Sequence, residues 1–124
     1  MAEVVEQVLL QTDGRDYRLQ AWVVMPNHVH LVVDVWDVPL AKLVGCWKGK
    51  SSRFANLLLK RRGQFWQEDY FDVLIRNEAH LKKAIRYTEQ NPAKACLVKA
   101  FRSWTWSSAC RRDEFERLAW QRDE

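Results

Sequence analysis

The period of apolar and polar positions changes several times along the chain, and each change marks an element. Val4, Val5, Val8 and Leu9 recur at helical spacing and predict a short helix over Ala2 to Gln11, broken by Thr12-Asp13-Gly14. Tyr17 to Val24 alternates in the manner of a strand, Pro26-Asn27 supplies a turn, and His28 to Val35 alternates again, so the pair reads as an antiparallel hairpin. Asp37-Val38-Pro39 then opens a long helix reaching about Lys60. Its apolar stripe is Leu40, Leu43, Val44, Trp47, Phe54 and Leu58, and Gly45 and Gly49 weaken it, allowing close packing or a bend.

Beyond Arg61-Arg62-Gly63, Phe65 to Ile75 reads as a further strand. Asn77 is a good N-cap for a helix from Glu78 to about Gln90. Asn91-Pro92 is expected to stop that helix, because a residue before proline avoids the helical region, with a second helical piece from Pro92 to about Lys99. A charged helix is expected from Arg111 onward. Strands and helices in this order predict an α+β fold.

At ~100° per residue, Leu81, Ala84, Ile85 and Thr88 form one stripe of the Glu78 to Gln90 helix, which should face the sheet. Tyr87 falls about 120° from the centre of that stripe, on the same side as His80, Lys83 and Asn91. A tyrosine retained only for packing would sit on the stripe. Tyr87 and Asn91 are an i, i+4 pair.

A chain of 124 residues fits a single core. No apolar run approaches the ~20 residues that span a bilayer, and the amino terminus lacks a secretory layout. Cys46, Cys96 and Cys110 have no C-x-x-C spacing and read as free thiols of a cytoplasmic protein. The net charge of +4 suits a polyanionic partner. Seven tryptophans either fill the core or, beside basic residues, stack on unpaired bases.

The chemistry is concentrated in the second strand. His28 and His30 alternate onto one face, about 7 Å apart along an extended chain, while Val29, Leu31, Val33 and Val35 form the opposite, apolar face. Two imidazoles so placed are either polar surface or ligands of one divalent cation. Asp34 shares their face and reads first as a solvated carboxylate, with orientation of a ligand imidazole as the alternative. A tyrosine beside such a pair suggests attack of the phenol on a DNA phosphate. Because a phenol, with pKa near ~10, leaves more readily than a sugar alcohol, the strand could later be rejoined.

Met25-Pro26-Asn27-His28-Val29-His30-Leu31-Val32-Val33 resembles the His-hydrophobe-His motif of the single-tyrosine (Y1) HUH transposases, the IS200-like family. Phe65-Trp66-Gln67, Tyr70-Phe71-Asp72 and Ile85-Arg86-Tyr87-Thr88-Glu89-Gln90-Asn91-Pro92-Ala93-Lys94-Ala95 resemble its REP-associated branch, as does Trp106-Ser107-Ser108 near the carboxy terminus. The resemblance covers residues 1–110, leaving 111–124 as a charged helix or tail. It implies a ferredoxin-like antiparallel sheet with helices on one side. It also implies Tyr87 as nucleophile, with His28 and His30 as ligands of Mg²⁺ or Mn²⁺ and Asn91 in the place of the third metal-side residue, although Asn before Pro is also an ordinary helix cap.

Members of that family bind DNA hairpins and cut the adjacent single strand, leaving a 5′-phosphotyrosine and a free 3′-hydroxyl. They usually begin with a strand before the first helix, whereas this sequence reads directly into that helix, so the expectation is either a shortened chain or pairing with another copy that fills the gap. The basic residues Lys48, Lys50 and Arg53, with Lys60, Arg61 and Arg62, form either a solvated face or a set of phosphate contacts. Lys83 and Arg86, with Lys82, flank Tyr87 and could orient the DNA backbone. The reading of the sequence is therefore a metal-dependent single-stranded DNA transposase. The alternative is a transposase-derived hairpin-DNA-binding protein that no longer cleaves; a nuclease with water as attacker ranks behind both.

Overall fold

The computed structural model describes residues 2–25, 28–59, 71–77 and 79–121. The elements run α1 (Ala2–Gln11), β1 (Tyr17–Val24), β2 (Val29–Val35), α2 (Leu40–Leu59), β3 (Phe71–Ile75) and α3 (Leu81–Lys94), followed by short 3-10 turns at Phe101–Ser103, Ser108–Arg111 and Ala119–Gln121. The α+β class expected from the sequence is borne out, and α1 and β1 have the expected bounds. The turn residues Pro26 and Asn27, and most of the expected strand from Phe65, lie outside the described residues.

The sheet has the order β1-β2-β3. β1 and β2 pair antiparallel, closed by the Met25 N–H donating to the His28 carbonyl at 2.8 Å. β3 pairs with β2 in parallel, from Val29↔Phe71 to Val33↔Ile75. The sheet is thus mixed where a wholly antiparallel one was expected. The cause is the α2 crossover, which brings the chain back in the direction of β2. β3 lies directly beside β2, so no gap separates them.

A bulge sets which side chains face which layer. The β1–β2 register passes from Leu19↔Val33 to Ala21↔Val32, skipping Gln20. Tyr17 and Leu19 point inward before it, and Trp22 and Val24 point inward after it, all within one core with Val29, Leu31 and Val33. Val5, Val8 and Leu9 of α1 and Leu43 and Trp47 of α2 complete that layer. Tyr17 pins it, donating its hydroxyl to the Leu9 carbonyl at 2.6 Å and accepting from Trp47 Nε1 at 3.1 Å.

The expected α2 stripe is only partly right. Leu43 and Trp47 are buried, but Ser51 and Ala55 continue the stripe while Phe54 is exposed. Small residues sit at i, i+4 steps where the helix meets the core. Among the described residues, a Cβ at Gly45 or Gly49 would meet no atom beyond the helix's own turn within 4 Å, so neither glycine serves close packing there.

α3 lies on the other face of the sheet, against β1 and β2, rather than on the side of α1 and α2. It also differs from expectation in running through Pro92 to Lys94 as one helix. The Pro92 ring is fully buried, and one missing hydrogen bond in a last turn is outweighed by that burial. The helix ends in a Schellman turn, with Leu97 N–H on the Pro92 carbonyl and Cys96, at φ 60°, on that of Ala93. Asn77 does not cap this helix; its Oδ1 accepts from the Ala79 N–H one turn earlier.

The carboxy-terminal segment seals the β1 edge. Ser107 forms an antiparallel bridge with Val23, and the Ser108 hydroxyl accepts from the Trp22 N–H at 3.0 Å while donating to Glu89. From Arg111 the expected helix is replaced by turns, with Leu118 in the core. Arg111 reaches Glu6 of α1 at 2.7 Å, and Arg112 reaches Glu89 of α3 at 2.8 Å. These contacts, which the local sequence could not announce, replace helical periodicity as the organising force.

Candidate functional site

The site is built where the starts of β2 and β3 and one turn of α3 meet. His30 points away from the core because Val29 and Leu31 point into it. His28 precedes the strand, and its ring lies 4.1 Å from that of His30, nearly perpendicular to it. This is closer than the about 7 Å of an extended strand. Tyr87 reaches the same place from α3, its ring centre 6.3 Å from that of His30 and edge-on to it.

Tyr87 is 50% exposed, as its position off the packing stripe predicted, while Thr88 next to it is buried. The Lys94 ammonium stands 5.0 Å over its ring. Asn91 lies one turn on, and its amide donates to the Tyr87 carbonyl at 3.2 Å. The helix is not broken at Asn91-Pro92, and Tyr87 and Asn91 keep the shared face that their i, i+4 spacing predicts.

His30 is the electrostatic centre. Its residue is 8% exposed. Its Nδ1 meets Asp72 Oδ2 at 3.1 Å, because His30 and Asp72 are opposite each other in the parallel ladder. Its Nε2 is buried and has no hydrogen-bond partner among the described residues. Burial, followed by the neighbouring His28, pushes the imidazole below the ordinary histidine value, and Asp72 opposes them. A neutral ring whose Nδ1–H is held by a carboxylate presents a lone pair at Nε2, which is how a metal-binding histidine is prepared. The donors present therefore fit a divalent cation, although no group of three or more His, Cys, Asp or Glu that could hold one is gathered among the described residues.

Asp34, the alternative candidate for an orienting carboxylate, does not take that role. Asp34 instead pairs with Arg76 at 3.3 Å, and Asp72 takes that place. Asp72 lay inside a quoted motif without a role, and only the strand register could have supplied one. The basic residues divide. Lys83 and Arg86 are exposed on α3 beside Tyr87, whereas Lys48, Lys50 and Arg53 lie on α2, across the sheet from His30. Lys60, Arg61 and Arg62 lie outside the described residues. His80 stands at the start of α3 as its N-cap residue.

The tryptophans divide too. Trp22 and Trp47 are core and Trp36 is exposed; Trp66 lies outside the described residues. All three cysteines are free thiols. No helix among the described residues is long and apolar enough to cross a membrane.

The model of a protein family described as "Transposase IS200 like" matches residues 1–91. Among curated proteins, the REP-associated tyrosine transposase of Escherichia coli (strain K12) is 26% identical over 96 residues, covering 76% of this chain and 55% of that protein. The chain therefore spans about half the length of this relative. No solved structure matches.

Proposed function

Because the chain belongs to the IS200-like transposase family, we propose that it is a single-stranded DNA transesterase acting beside DNA hairpins, with Tyr87 as nucleophile. The reading is carried by one observation: the Tyr87 and His30 rings meet at 6.3 Å, from elements far apart in sequence, with His28 alongside. In the reaction, Tyr87 Oη forms a bond to phosphorus as the bond from phosphorus to the 3′ oxygen breaks. The phenolic proton is given up, the 3′ oxygen leaves as a hydroxyl, and the 5′ side stays on the protein as a phosphotyrosine. Attack by a 3′-hydroxyl reverses the step and joins strands.

His28 and His30, with Asn91 one turn from Tyr87, would hold the cation, Mg²⁺ or Mn²⁺. When bound, it would polarise the phosphoryl oxygens and offset charge developing at phosphorus. Lys83 and Arg86 would take adjacent phosphates, while Lys48, Lys50 and Arg53, on the other face, would serve a more distant part of the DNA. A second copy would add along the outer edge of β3, where Leu74 and Ile75 are exposed. The proposed setting is cytoplasmic.

A hairpin-DNA-binding protein without cleavage is the second reading. Covalent capture of a labelled hairpin-bearing oligonucleotide with Mg²⁺ or Mn²⁺ tests both. The transesterase reading expects an adduct resistant to denaturant that Tyr87→Phe abolishes. An adduct of equal yield with Tyr87→Phe would remove Tyr87 from its role, and binding without any adduct would establish the second reading.

A further inference from the structure

A cavity of about 650 Å³ opens between α3 and the carboxy-terminal segment, on the flank of the helix next to Tyr87, and the cleavage step has no use for it. Its size is that of a small-ligand site, roughly 300–1,000 Å³. Gln20 lines it, at 5% exposure, and Gln20 Nε2 is buried with no hydrogen-bond partner among the described residues. The bulge is what puts Gln20 there, since the register skips it. Arg112 in the same lining is already engaged, holding Glu89 at 2.8 Å and the Gln20 carbonyl at 2.7 Å.

The walls carry Phe101 and Phe115, the latter 67% exposed. Lys82, Arg86 and Arg102 also line the cavity. The two carboxylates in the lining are paired, Glu89 with Arg112 and Glu116 with Arg102 at 3.1 Å, so Lys82 and Arg86 give it a positive excess. An amide donor awaiting an acceptor, two aromatic faces and cations at one helix flank suit a flat heteroaromatic ring joined to a phosphate. We propose that this cavity takes one unpaired base of the DNA strand that passes Tyr87, the base edge accepting from Gln20 and its phosphate meeting Arg86. The inference rests on the reading of the chain as a single-stranded-DNA protein and gives that reading a base-binding pocket.

The test uses the full chain and a hairpin oligonucleotide with its flanking unpaired strand, each flanking base replaced in turn by an abasic residue. Binding is followed by fluorescence anisotropy at fixed salt. One abasic position should weaken binding by about tenfold, the effect of losing one stacked base. That penalty should vanish in Phe115→Ala and in Gln20→Met. Phe115 is exposed enough for its variant to keep the fold, so it decides the matter if Gln20→Met fails to fold. A profile within twofold at every position, or a sensitive position that stays sensitive in Phe115→Ala, overturns the pocket. If the Tyr87 adduct still forms, the cleavage reading survives that result; if the chain binds no DNA at all, both fall.

Discussion

His30 and Asp72 face each other across the parallel β2–β3 ladder and share a hydrogen bond of 3.1 Å. The carboxylate occupies Nδ1, so the coordinating capacity of the ring is confined to Nε2. Asp72→Asn should keep the fold, since Asp72 is largely exposed, but it weakens the hold on the tautomer. Mn²⁺ affinity should fall by about 10–100-fold, the usual cost of losing a carboxylate behind a ligand histidine. Isothermal titration with Mn²⁺ checks this, and unchanged affinity would show that Asp72 does not orient the ring.

The buried His30 imidazole also makes the molecule sensitive to acid. Burial lowers its folded value relative to the unfolded chain, so the unfolded state binds the proton more readily. The stability from the neutral ring is present above the ordinary histidine value, near ~6.5. It is lost as pH falls through the lowered folded value. Urea unfolding between pH 7.5 and 5 should show this loss in the parent and a shallower loss in His30→Gln. Mn²⁺ binding should weaken in the same direction, by up to about tenfold per pH unit below the folded value.

These predictions depend on features unevenly visible in the sequence. Periodicity gave α1 and β1, because their patterns are local, and the angular position of Tyr87 anticipated its exposure. The same arithmetic missed the bulge at Gln20, which reverses inward and outward positions halfway along β1. It missed Asp72, since the partner of His30 depends on a crossover strand whose register no local pattern encodes. The local rule at Asn91-Pro92 failed because a buried proline ring outweighed the backbone preference. Resemblance supplied the candidate chemistry of Tyr87, His28 and His30; the structure supplied their proximity and the second half of the carboxylate–histidine pair.

Gly45 and Gly49 are open to improvement. Among the described residues neither has an atom beyond its own helical turn within 4 Å of an added Cβ, and both lie inside α2. Gly45→Ala and Gly49→Ala should each stabilise the fold by about 0.5–1 kcal/mol, by reducing the freedom of the unfolded chain and favouring helix. Urea midpoints measure this directly. A destabilised Gly49→Ala would mean that the helix surface there is covered by something the chain meets in solution.

The Glu89–Arg112 pair is a different case, because both side chains are almost fully buried. Arg112 also donates to the Gln20 carbonyl, and Glu89 accepts from Ser108, so the pair ties α3 and the carboxy-terminal segment to the bulged part of β1. Arg112→Ala leaves a buried carboxylate without its partner and should cost about 3–5 kcal/mol. Glu89→Leu combined with Arg112→Met removes both charges and should recover most of that loss, since apolar replacements of a buried pair are often neutral or stabilising. Because Glu89 sits two residues from Tyr87 on the same helix, Arg112→Ala should also lower the yield of covalent adduct at temperatures where the protein is still folded, and the double replacement should restore it. A single Arg112→Ala change costing under about 1 kcal/mol in urea unfolding would place the pair in solvent-like surroundings instead.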